Sequence, residues 1–94
     1  MNYAGTPSLK DLLKEFYTNA KFDMWENIGI MLEINDGELS RIKTDHGDSR
    51  TCLREMFRVW LNKEPQPSWC AIVEAFEIVG NDQAFVQTLK SKYC

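Results

Sequence analysis

The sequence predicts an all-α protein, a compact bundle of six helices with short connections, and three observations carry that prediction. Apolar residues recur every three or four positions along most of the chain. Cap and stop signals divide that rhythm into six segments, and no segment alternates apolar and polar residues between hairpin turns. No internal repeat of the 20- to 50-residue kind interrupts the pattern.

The first helix is expected over about Leu9 to Ala20. Ser8 with Asp11 forms a capping-box variant, and Leu9, Leu12, Leu13, Phe16 and Ala20 follow at helical spacing. Residues 1–8 precede this pattern and read as an N-terminal extension to a bundle over 9–93. The second helix, about Met24 to Glu33, carries Trp25, Ile28, Gly29 and Leu32 on one side; Gly29 there suits close approach of another backbone. Asn35 with Glu38 opens a short third helix whose Leu39 and Ile42 face inward, ending near Lys43 to Asp45. The run TDHGDS interrupts it, with Gly47 able to take a positive φ and Asp48 or Ser49 able to cap the fourth helix, about Ser49 to Asn62.

Pro65 and Pro67 in the connector KEPQP remove amide donors and fix φ, so Trp60 and Trp69 fall on separate helices. Ser68 caps the fifth helix, with Trp69, Ile72, Val73, Phe76 and Val79 on one side and Gly80 as its stop. Asn81 or Asp82 caps the sixth, whose apolar face is Phe85, Val86, Leu89 and Tyr93. Leu53, Met56, Phe57 and Trp60 span an arc of roughly 100°, the width of a core-facing stripe. The expected core anchors are therefore Trp25, Leu32, Leu53, Phe57, Trp60, Trp69 and Phe76. Ile30 and Ile78 fall off their stripes and are candidates for an exposed apolar contact.

Ninety-four residues suit one domain, and 44% hydrophobic with 27% charged residues is globular composition. No apolar run reaches the roughly 20 residues of a membrane span, and MNYAGTPSLKD lacks a signal peptide's basic start and apolar stretch. The expected location is cytoplasmic, without membrane insertion. Cys52, Cys70 and Cys94, three in number and widely spaced, fit reduced intracellular thiols better than a disulfide framework. A net charge of −3 opposes nonspecific nucleic-acid binding.

Catalytic and cofactor chemistry find no signature. His46, the only histidine, lies beside Asp45 and Asp48 but lacks CxxC or HxxxH spacing for a metal. Cys52 reads as a buried structural thiol on the apolar flank of the fourth helix. The five glycines are scattered, so no phosphate-cradling loop exists. Glu15, Glu26, Glu33, Glu55, Glu74 and Glu77 are expected at solvent-facing or flanking positions. No enzyme activity, cofactor or metal is expected.

The order of anchors resembles a death domain, a member of the death-fold superfamily. The matching pieces are W-x2-I-G-x2-L from Trp25 to Leu32, the L-x2-I pair Leu39 and Ile42, and L-x3-F-x2-W-L from Leu53 to Leu61. SW-x2-I-V-x-A-F from Ser68 to Phe76 and then Phe85 and Leu89 complete the series, so the resemblance spans about Leu9 to Tyr93. The W-L ending of the fourth helix and the SW opening of the fifth favour the death-domain branch over caspase-recruitment, death-effector or pyrin domains. The resemblance implies a six-helix antiparallel bundle of Greek-key topology and a noncatalytic adaptor. Such a domain binds other death domains, including copies of itself, to assemble apoptotic or inflammatory complexes of innate immunity and cell death.

The resemblance transfers no named contact, so the interaction surface is read from charge. Arg54 and Arg58, with Arg50 at the helix start, recur every four residues and form a candidate basic patch suited to bidentate carboxylate recognition. Asn35, Asp36 and Glu38 form an acidic start to the third helix, expected across the bundle from it, and a head-to-tail contact between such patches propagates. Lys63, Glu64 and Gln66 add an exposed connector. Two other readings are an oligomerising scaffold resembling a sterile alpha motif and a helical nucleic-acid binder using the fourth-helix arginines.

Overall fold

Five of the six helices begin where a short polar side chain takes the amide hydrogen three residues ahead. The structure, a computed structural model, describes residues 6–80 and 82–94. It contains α1 (Leu9–Thr18), α2 (Trp25–Met31), α3 (Asp36–Asp45), α4 (Ser49–Lys63), α5 (Trp69–Val79) and α6 (Gln83–Tyr93), with no strand among the described residues. Ser8, Asn35, Asp48, Ser68 and Asp82 accept from the amides of Asp11, Glu38, Thr51, Ala71 and Phe85 respectively. Asp48 rather than Ser49 therefore caps α4. Asp82 caps α6, and Asn81 lies outside the described residues.

Two helices stop earlier than their apolar spacing suggests, and for one reason. Ala20 (φ 55°) and Glu33 (φ 66°) are left-handed. Lys21 N–H donates to Phe16 O (2.8 Å) and Ala20 N–H to Tyr17 O (3.1 Å); Ile34 N–H donates to Gly29 O (3.0 Å) and Glu33 N–H to Ile30 O (3.0 Å). Each set is a Schellman motif, which satisfies the helix's last carbonyls and turns the chain away. Glycine is the usual residue at that position, and its absence hides both stops in the sequence. No described glycine has positive φ: Gly80, at −95°, ends α5 in extended conformation, and Gly47 does not use the freedom expected of it.

The core forms around α4, which packs on α1, α2 and α3, while α5 packs on α2 and α6. Phe16 of α1 is its centre, with Phe57, Phe76 and Phe85 edge-on to it at 5.2, 5.9 and 5.3 Å between centroids. One ring thus ties α1 to α4, α5 and α6, in the geometry that the ring quadrupole favours. Trp25, Leu32, Leu53, Phe57, Trp60, Trp69 and Phe76 are all buried. At Gly29, a Cβ would meet Leu39 Cδ2 at 2.7 Å and Met56 Cγ at 3.2 Å, so the glycine admits side chains of α3 and α4 rather than another backbone. The radius of gyration, 12.4 Å, matches the roughly 12 Å expected of one compact unit of this length.

Helices α5 and α6 form a hairpin closed at its open end. Trp69 and Tyr93 stack with centroids 3.8 Å apart and planes 7° from parallel, and a Cys70–Cys94 disulfide joins the same ends. The expectation of three free thiols fails here because the hairpin brings two Cα atoms 24 residues apart to within 5.3 Å. Cys52 is free and buried; burial pushes its thiol above its usual value, and its Sγ faces His46 O at 3.5 Å. No described helix is long and apolar enough to cross a membrane.

Candidate interaction surface

The α4 arginines separate into one that is committed locally and two that face outward. The Arg50 guanidinium lies 4.6 Å from the Tyr17 ring centroid, and the Tyr17 hydroxyl donates to Arg50 O at 2.7 Å, binding α1 to the start of α4. Burial raises the Tyr17 phenol above its usual value, and the charges of Arg54 and Arg50 oppose that rise. Arg54 Nε and Arg58 Nη2 both reach Glu55 Oε2, at 3.3 and 3.9 Å. Two cations share one carboxylate oxygen, which leaves most of their ten N–H donors directed elsewhere. Both side chains are about half exposed.

At the start of α3, charge is largely satisfied within the chain. Asn35 spends its side-chain oxygen on the cap, at 2.9 Å from Glu38 N. Glu38 binds Arg41 and lies 3.7 Å from Lys63 Nζ. The Arg41 hydrogen bond is the main cause of a Glu38 carboxyl below its usual value. The Lys63 contact shows that the acidic start of α3 adjoins the end of α4, so part of its charge is paired within the chain. Asp36 is exposed and has no ion pair among the described residues. Glu64 and Gln66 are exposed in the connector.

A groove of about 300 Å³ opens where the ends of α2 and α4 meet one side of α5. Leu32, Trp60, Ala71 and Ala75 form its floor, and Met31 and Ile78 its lip. Ile78 is 70% exposed, Ile30 46% and Met31 42%. Sequence spacing pointed to Ile30 and Ile78; Met31 was missed because α2 ends at that residue rather than at Glu33, leaving its side chain at a helix end. Three carboxylate residues complete the lining, Glu33, Glu64 and Glu74, and none has an ion pair among the described residues.

One expected surface carboxylate is internal. Glu15 is buried, with Oε2 accepting from the Tyr93 hydroxyl at 2.6 Å and from Lys92 Nζ at 3.0 Å. Burial pushes its carboxyl upward, but the Tyr93 and Lys92 contacts outweigh it and hold the group below its usual value. Burial, and then the Glu15 contact, push the Tyr93 hydroxyl far above its own. This triad clamps the end of α6 to α1.

The described residues hold no cluster of three or more side chains able to bind a metal ion. No protein-family model, curated protein or solved structure matches the chain.

Proposed function

We propose that this chain is a noncatalytic interaction module of death-domain type, with its six helices in Greek-key order. In this reading it binds other death domains, including copies of itself, and gathers them into complexes of apoptotic or inflammatory signalling. The observation that carries the reading is the placement of the recurrent anchors. From Trp25 through Phe76, the residues that make up the resemblance are buried, apart from the half-buried Leu61 and Ser68, so the motif series corresponds to a packing scheme.

The contact proposed for α4 follows from its electrostatics. Arg54 and Arg58 share Glu55, and a neighbour's carboxylate would complete the guanidinium forks. Asp36 offers such a carboxylate on a different helix of the same chain. A contact of Arg54 and Arg58 with the α3 start of the next copy is heterologous, so it extends into an open assembly unless its rotation closes a ring.

Sedimentation velocity over a range of concentrations tests this contact. The wild-type chain is expected to form assemblies that Arg54→Glu weakens, with the helical circular dichroism of the variant unchanged. Equal association by a folded Arg54→Glu chain removes the α4 patch from the interface.

A further inference from the structure

The groove between the ends of α2 and α4 and the side of α5 combines an apolar floor with negative charge that the chain leaves uncompensated. Of eleven lysines and arginines, eight form ion pairs among the described residues and Arg50 lies on Tyr17; Lys10 and Lys14, on α1, which lines no part of the groove, show no ion pair among those residues. Glu33, Glu64 and Glu74 nevertheless stand together without a cation among the described residues.

Two of these carboxylates also occupy unfavourable positions. Glu64 is the C-cap of α4 and Glu33 directly follows the C-cap of α2, where the negative end of the helix dipole repels a carboxylate. Glu33 further adopts the left-handed conformation that glycine takes at lower cost. Strain and repulsion held at one site, beside an isoleucine left 70% exposed, are the arrangement expected where a ligand supplies what is missing.

We propose that this groove is the docking site for a basic amphipathic helix of a partner protein. The helix would set apolar side chains one turn apart over Leu32, Trp60 and Ala75, and flank them with lysines or arginines that meet Glu33, Glu64 and Glu74. Charge complementarity selects this occupant. A second copy of the chain is a poorer one, because its net charge is −3 and a carboxylate-lined groove favours a partner of opposite net charge. The site is independent of the α4 arginines and does not rest on the death-domain reading. Helix-in-groove recognition of this kind takes its affinity from apolar anchors and its selectivity from the rim.

The test uses the full chain and two synthetic helix-forming peptides of about 14 residues, each apolar at every third or fourth position, one flanked by lysines and the other by glutamates. Binding is read from amide chemical shifts at Leu32, Ala75 and Ile78 and from tryptophan fluorescence. The lysine peptide is expected to bind there, and the glutamate peptide to bind at least about tenfold more weakly. Joint Glu33→Gln, Glu64→Gln and Glu74→Gln substitution should cost between about threefold and about 150-fold in affinity for the lysine peptide, the product of three exposed pairs each worth about 1.4- to 5-fold. Ile78→Ser should weaken binding while leaving the melting temperature nearly unchanged. The proposal is overturned if the peptides bind equally, if the glutamine variant binds as wild type does, if the shifts map elsewhere, or if neither peptide binds. It is also overturned if Ile78→Ser abolishes self-association without affecting the lysine peptide, which would make the groove a contact between copies.

Discussion

Glu15 shows how a residue's sequence position can mislead about its environment. It sits among lysines on a helix that presents other charges to water, yet its partner Tyr93 is 78 positions away and only folding brings the two together. Because its folded carboxyl lies below the usual value of 4.5, the stability it contributes is present above that value and lost as pH falls through the lower folded one. Glu15→Gln should cost about 1 to 3 kcal/mol at pH 7, and its stability should fall less steeply than wild type's between about pH 5 and 3. Urea unfolding at several pH values checks both, and parallel pH profiles would exclude the linkage. Trp60, by contrast, was legible as core from its own helix. Trp60→Ala is expected to destabilise by about 3 to 5 kcal/mol, whereas an unchanged melting curve would mean that its ring contributes little beyond forming the groove floor.

At the level of elements, all six helices were visible in the sequence because each repeats its apolar face and most carry a local cap. The ends of α1 and α2 were not, since alanine and glutamate favour helices and give no sign of a left-handed stop. Ala20→Gly should therefore raise stability by up to about 1 kcal/mol, relief of the left-handed conformation exceeding the added entropy of the unfolded chain. Glu33→Gly should raise the melting temperature and also weaken the lysine peptide, separating the stability of α2's end from its use at the groove. A lower melting temperature in both variants would contradict the strain assigned to these turns. The Cys70–Cys94 bridge was equally hidden, because its spacing acquires meaning only once α5 and α6 fold back on each other. On chain-entropy grounds a loop of this size is worth about 3 kcal/mol; Cys94→Ser should lower the denaturant midpoint accordingly, and no shift would show that the Trp69–Tyr93 stack suffices.

For the whole molecule, the order of anchors was readable, and the surface was not. Trp25, Phe57, Trp60, Trp69 and Phe76 announce themselves through spacing, because burial demands apolar residues at helical period. The groove draws its lining from α2, α4, the connector and α5, and no local pattern encodes such an assembly of helix ends. The placement of Lys63 beside Glu38 is non-local in the same way, and it alters the proposed contact by drawing part of the acidic α3 start into the chain's own pairing. What remains available to a neighbour is Asp36 on one side and the half-engaged Arg54 and Arg58 on the other. Such a contact should be salt-sensitive, because its charges are exposed.

Light scattering of the chain mixed with a panel of purified death domains, beside each component alone, tests the central claim most directly. The account predicts particles larger than any component in at least one mixture or in the chain alone, growing with concentration and diminished by Arg54→Glu. A chain that stays monomeric at every concentration and leaves every death domain unchanged would contradict it.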